Sequence, residues 1–220
     1  FRLHITEMVA KGEPVDKLST LFIQIGRWQY YLLGLVASGF IIFGREFIAI
    51  WAGTGFEDAY VITLLIILPF TIDLIQNIGL AILQAMNHYE LRARVYFFVG
   101  AVNLLLAIPM AIRWGGIGCA LATGISMILG NGFLMNWIYA KRIQLSIRDF
   151  WKQIVKITIP IIGVCIIGDM LNALVVSQSK ILFVGKIVIY TLGYGLIIYL
   201  LSMNKEEKEK IKGIVHIILK

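Results

Sequence analysis

The sequence predicts an all-α fold, a polytopic transmembrane helical bundle of about six spans. Three observations predict it. Of the 220 residues, 59% are hydrophobic and only 15% are charged, with a mean hydropathy of +0.85. An average soluble domain is about 45–50% apolar and about 25% charged. A soluble chain this apolar could not cover its own surface, so the excess implies a lipid solvent. The apolar residues are also gathered into runs of roughly the 20 residues that a span needs. Finally, the basic residues avoid these runs and fall unevenly on the two sides that the runs define.

Each element follows from its local pattern. In residues 1–26, Leu18, Leu21, Phe22 and Ile25 fall at helical intervals between charges. That spacing predicts an amphipathic segment, with Val15–Gly26 lying along the membrane surface. The first span runs from about Trp28 to Phe43 and its pattern resumes at Phe47–Trp51; a glycine loop follows, with Gly53, Gly55, Glu57 and Asp58. The second span is Tyr60–Ala85 with Pro69 inside it, closed by the turn Asn87–Arg94. The run from Tyr60 to Met86 holds one charge, Asp73, which is too apolar all round for a soluble helix. Val95–Ile112 is the third span, with Pro109 near its end, and Arg113–Gly116 is a tight turn. The fourth and fifth spans are Ile117–Ala140 and Ile154–Leu174, joined by the basic stretch Lys141–Lys152. A polar connection at Ser177–Lys180 leads to the sixth, Ile181–Met203. Residues 204–220 read as a second amphipathic segment, with charges first and then the stripe Ile211, Ile214, Val215 and Ile218. The expected organisation is thus 1–26 amphipathic segment, 27–203 six-span lobe and 204–220 amphipathic tail.

Six spans put both ends on one side. Of the 20 lysines and arginines, only Arg45, Arg113, Lys180 and Lys186 then fall on the opposite side. Such an imbalance orients the ends toward the cytoplasm. It also explains the net charge of +7 without nucleic acid, because the charges sit in loops between apolar runs. Cys119 and Cys165 lie within apolar runs and read as small buried hydrophobes rather than a disulfide. No signal peptide is visible, and a first residue Phe1 rather than Met points to a fragment or a processed chain.

Several stretches resemble one family. Phe43-Gly44-Arg45-Glu46-Phe47-Ile48-Ala49-Ile50-Trp51-Ala52-Gly53 looks like a segment in which a span ends, an apolar stretch closing on Trp follows, and a glycine loop leads onward. Gly115-Gly116-Ile117-Gly118-Cys119-Ala120-Leu121-Ala122-Thr123-Gly124-Ile125-Ser126 resembles a G-x-x-G-x-A-x-A-T-x-I-S pattern. Lys11-Gly12-Glu13-Pro14-Val15-Asp16-Lys17-Leu18 resembles the loop before the first of these spans. Together they are similar to the C-terminal portion of the polysaccharide exporters of the oligosaccharide flippase type, which belong with the multidrug and lipid flippases. The resemblance implies one lobe of a two-lobe transporter whose N-terminal lobe is missing here. It also implies a bacterial plasma membrane and an undecaprenyl-diphosphate-linked oligosaccharide, of the O-antigen or capsule type, as the molecule moved.

The residues themselves point to an interior polar stripe. Asp73 near the middle of the second span, with Asn77 and Gln84 on its helical face and Gln76 beside it, is costly in lipid and faces protein or water. It reads as a substrate-cavity wall or coupling site, or else as an interhelical hydrogen bond. Asn103 in the third span is a candidate partner. Asn131, Asn136 and Ser126 polarise part of the fourth span, where a helix-bracing role is the simpler reading. Arg92 and Arg94 stand at the cytoplasmic mouth and are candidates for a pyrophosphate headgroup, although topology alone explains them too. Gly116, Ala120 and Gly124 recur every four residues, the spacing that lets helices approach closely in lipid.

Metal, phosphate-loop and paired-histidine motifs are missing, so no catalytic residue, metal or cofactor is expected. The alternatives are a multidrug or cation exporter, a membrane polysaccharide polymerase, for which the outer loops are short, and a structural bundle.

Overall fold

The computed structural model describes residues 2–53, 55–174 and 180–218, and among them there is no strand. Helix α1 (Arg2–Ala10) ends at a turn through Gly12, and Pro14 then starts α2 (Val15–Trp51). At 37 residues, α2 is about 55 Å long, well beyond one bilayer core. Val15–Gly26 is therefore not a separate surface segment, and the expected boundary at residue 27 falls inside one continuous helix. The reason is tertiary. Leu18 and Phe22 are buried in a core with Ile75, Leu83, Tyr139 and Phe150. The Ser19 hydroxyl accepts the Ser146 N–H (3.2 Å). Gly26 lets α2 touch the next span so closely that a Cβ there would stand 2.9 Å from the Ile75 carbonyl oxygen.

The second apolar run divides in two. Helix α3 (Asp58–Ile75) stops at Gln76 (φ −102°, ψ 6°), and α4 (Asn77–Ala85) begins there. The expected single span Tyr60–Ala85 is thus a span and a short helix. Ile78, Gly79, Ile82 and Leu83 of α4 are buried in the core that also takes in Ile5 of α1.

Helix α5 (Tyr89–Met127) contains the fold's sharpest bend. Gly115 has φ 56° and ψ −132°, a left-handed conformation that glycine adopts without a Cβ clash. The chain doubles back there. The Thr123 hydroxyl reaches Asn103 Oδ1 (3.5 Å), and Gly130 lies against Val95 and Val99. The second arm continues through a π-helical segment (Ile128–Leu134) into α6 (Met135–Arg142). Among the described residues, five helical stretches are long and apolar enough to cross a membrane, and one of them, Tyr89–Arg142, is this hairpin, whose two arms fold back on each other at Gly115.

Helices α7 (Ile147–Leu174) and α8 (Lys180–Ile197) complete the bundle; α8 passes through a second π-helical segment (Ile198–Ser202) toward α9 (Lys205–Ile218). The connection expected at Ser177–Lys180 lies outside the described residues except for Lys180, and so do the side chains of Ile214, Val215 and Ile218. Helix α2 is the hub, packed on α3, α7 and α8, while α3 packs on α5. A second core joins Tyr31 and Phe43 of α2 to Ile157, Ile161 and Tyr190 across α7 and α8. The outer faces are apolar: Phe97, Leu105, Ile112 and Ile189 are all more than two-thirds exposed. In water that surface would aggregate, and in a bilayer it is the solvated face. The chain is a multi-pass membrane protein. Cys119 joins this exposed face instead of being buried, and Cys165 is half-buried; both are free thiols. Helix α1 packs on α4, and α9 reaches Arg27 near the same level of α2, so both described ends lie at one end of the bundle.

Candidate functional site

At that same end, five elements enclose a polar cavity of about 90 Å³. Asp73 comes from the last turn of α3, Gln76 from the break, and Asn77 from the first turn of α4. Arg92 and Tyr96 come from the first turns of α5, Asn131 from the π-helical segment, and Tyr139 from α6. Both irregularities in the helices face this space. Such breaks free backbone groups and turn side chains away from the regular helical face, and π-helical turns occur frequently at functional sites.

Gln76 is the most telling member. Its side chain is buried, yet neither Oε1 nor Nε2 has a hydrogen-bond partner. A buried amide left unpaired costs on the order of 1–3 kcal/mol, so Gln76 has the most to gain from a polar group entering the cavity. Asp73 and Arg92 line the same cavity without closing into an ion pair. The Arg92 guanidinium lies 5.1 Å from the Tyr96 ring centre, which fixes its direction while leaving its N–H donors available. One carboxylate, one guanidinium, three amides and two phenols together offer donors and acceptors in similar measure. At about 30 Å³ per water, the space holds only a few waters' worth of ligand. It is therefore suited to a hydroxyl cluster or one phosphate, not to a whole sugar chain.

Of the residues singled out from the sequence, Asp73, Gln76, Asn77 and Arg92 come together here. The others do not. Gln84 is half-buried two turns along α4, away from the cavity. Asn103 meets Thr123 inside the hairpin. Thr123 lies next to Gly124, which packs on Leu65. This level is eight residues, or about 12 Å, from Asp73 along α3. Arg94 is exposed and pairs with Glu90 (3.0 Å). Asp73 itself is not mid-span, because α3 ends at Ile75 and Asp73 stands in its last turn.

Compared with known proteins, the chain matches no family model, no curated protein and no solved structure.

Asn131, expected to brace helices, lines the cavity, whereas Asn136 does brace, with Trp151 Nε1 donating to its Oδ1 (3.2 Å). Tyr96 and Tyr139 were not anticipated. Their signal was spacing, since Asn131, Met135 and Tyr139 recur every four residues, as do Arg92 and Tyr96.

Close by, at the start of the first span, is a second polar cluster that the sequence did not reveal. The Arg27 guanidinium, 4% exposed, donates to both oxygens of Glu207 (Nε and Nη2, both 2.8 Å), to Gln153 Oε1 (2.8 Å) and to the Ser202 carbonyl (2.9 Å). Its Nη2 also donates to the Tyr31 hydroxyl (2.7 Å), whose own proton is within reach of Glu207 Oε2 (3.1 Å) and the Ser202 carbonyl (3.2 Å). The charges and the donated N–H groups are paired, so this cluster is a clasp between α2, α7 and α9; a polar cavity of about 210 Å³ borders it, and the buried Ser202 hydroxyl has no partner among the described residues.

Proposed function

We propose that the chain is one lobe of a transporter that flips a lipid-linked oligosaccharide across a bacterial plasma membrane, with both ends cytoplasmic. The resemblance in the first four spans supplies the substrate class. The unpaired Gln76 amide in a cavity shared with Asp73 and Arg92 carries the reading, because a purely structural bundle gains nothing from it. The cavity sits at the end of the bundle that holds most of the basic residues, where a pyrophosphate-bearing headgroup would be met before it enters. Arg92 would hold a phosphate oxygen, and Gln76, Asn77 and Asn131 would pair the neighbouring oxygens or hydroxyls. Asp73 would accept from sugar hydroxyls and keep the cavity from trapping the anion too tightly.

The test uses the full-length protein in cells that lack their own flippase, reading glycan export beside membrane abundance. Asp73→Asn keeps size and much of the hydrogen bonding, so normal abundance is expected with export reduced about tenfold, the worth of one charge-assisted hydrogen bond. Gln76→Leu removes the unpaired amide, so it is expected to raise thermal stability, by up to about 1–3 kcal/mol, while export falls. Full export by abundant Asp73→Leu and Gln76→Leu variants would remove the cavity from the mechanism.

The proposed orientation predicts that reporters placed at Lys11 and after Lys220 read as cytoplasmic and one in the Gly53–Glu57 loop as external. A cytoplasmic signal from that loop would reverse the assignment.

A further inference from the structure

A groove of about 400 Å³ runs between α7 and α8 and is floored by Phe43 of α2. Side-chain volume is missing along it. At Gly193 an added Cβ would meet nothing within 4 Å. The two tyrosines in its wall turn their hydroxyls away, Tyr190 to Ser38 Oγ (2.7 Å) and Tyr194 to the Tyr31 carbonyl (2.8 Å). Only ring carbon is left facing the groove there, and polarity is confined to the end formed by Asn172 and Lys186.

The dimensions are those of one leaflet. From Lys186 to Ile197, at the groove's apolar end, α8 rises about 16 Å. Half of a hydrocarbon core about 30 Å thick is nearly the same. Lys186 also lies beside Glu46, five residues before α2 ends at Trp51, so the polar end stands near the membrane surface away from the chain ends.

The charges at that end form a loose pair. The Lys186 ammonium donates to Asn172 Oδ1 (2.9 Å) and stands 3.5 Å from Glu46 Oε2. An ammonium has three donors, so one remains for a further acceptor. Among the described residues, Asn172 Nδ2 makes a long contact with the Ile42 carbonyl (3.5 Å), and the amide has a second N–H to offer. Glu46 keeps acceptor capacity for a cation. A cation and an anion side by side complement a headgroup that also carries both.

We propose that this groove holds one zwitterionic, amine-bearing phospholipid, a phosphatidylethanolamine. One acyl chain lies along α7 and α8, the phosphate rests on Lys186 and Asn172, and the headgroup amine donates to Glu46. A choline headgroup presents no N–H to Glu46, and a glycerol headgroup presents no charge to it.

Native mass spectrometry of the full-length protein, stripped of lipid in mild detergent, tests this with phosphatidylethanolamine, phosphatidylcholine and phosphatidylglycerol of identical chains. One phosphatidylethanolamine is expected to bind about tenfold more tightly than either of the others, the size of one charge-assisted hydrogen bond. Glu46→Gln, which changes no volume, should bring phosphatidylethanolamine down to the level of phosphatidylcholine. Gly193→Phe should fill the groove and abolish retention of all three lipids. Equal retention of the three by the unaltered protein, tighter binding of phosphatidylglycerol, or undiminished phosphatidylethanolamine binding by either variant would overturn the proposal.

Discussion

Replacing Glu207 with alanine is expected to release α9 from the bundle, seen as rapid amide exchange across 205–213 while the spans stay protected. The pair it forms with Arg27 is buried, with side-chain exposures of 4% and 8%. Removing one partner of a buried pair leaves the other charge uncompensated, at a cost of about 3–5 kcal/mol. Few other described contacts are shared by α9 and the bundle, so local undocking is cheaper than global unfolding. The clasp also predicts a pH dependence. Burial works to raise the Glu207 carboxyl, but the Arg27 guanidinium, the Asn204 N–H and the Tyr31 hydroxyl outweigh it and hold the group below the usual carboxylate range. A carboxyl whose pKa is depressed on folding stabilises the docked state above its unfolded value of about 4.3, and that stability is lost as pH falls through the folded value. Protection of α9 should therefore be level from neutral pH down to about pH 5 and collapse below about pH 4. Glu207→Gln should remove the dependence. Combining Arg27→Met with Glu207→Leu should restore much of the docking, since a packed apolar pair often serves as well as a buried ionic one. Unchanged exchange of α9 in Glu207→Ala would show that the helix is held by something else.

That clasp illustrates what the sequence could and could not disclose. The spans were legible because each is a run of apolar residues, and the turn at Gly115 because glycine there is flanked by Trp114 and a second glycine. The ion pair was not. Arg27 served as one more topology charge, and Glu207 was hidden in the mixed run Lys205–Lys212, 180 positions away. No local pattern couples residues that far apart. The break at Gln76 was equally silent, because neither glycine nor proline marks it and the hydropathy continues through Ile78, Leu80 and Ile82. The amphipathic pattern of Val15–Gly26 was read correctly as one apolar face, but the sequence does not say whether lipid or protein covers that face. Phe150 and Tyr139 cover it. In the candidate site, the residues that share one helical stripe were found together. Those contributed by other elements carry their own four-residue spacings, in Arg92 and Tyr96 and in Asn131, Met135 and Tyr139, but no local spacing says that these stripes meet the break at Gln76.

Gly124→Leu is expected to prevent accumulation of the protein in the membrane, and Gly124→Ala to lower its thermal stability. The cause begins in α3. Pro69 has no N–H, so the carbonyl of Leu65, four residues earlier, lacks its helical donor. Gly124 packs against that carbonyl. A Cβ at position 124 would stand 2.7 Å from the Leu65 oxygen and 3.3 Å from Pro69 Cγ. The backbones of α3 and α5 approach there as close-packed helices in lipid do, with Cα–H groups of the glycine available to the orphaned oxygen. Ala120 (3% exposed) is buried in the same stripe, and Gly116 faces Ile62 one turn further on. One methyl group must push the helices apart by several tenths of an ångström. Leucine must separate them altogether, beyond the roughly 1–3 kcal/mol of ordinary overpacking because backbone rather than a flexible side chain is in the way. Gly100→Leu is the control. It lies on the other arm of the same hairpin, where an added Cβ meets nothing within 4 Å, and it should leave abundance and melting unchanged. If Gly124→Leu accumulates and melts like the unaltered protein while Gly100→Leu does not, the hairpin presents its opposite face to α3, and the packing of the third and fourth spans must be redrawn.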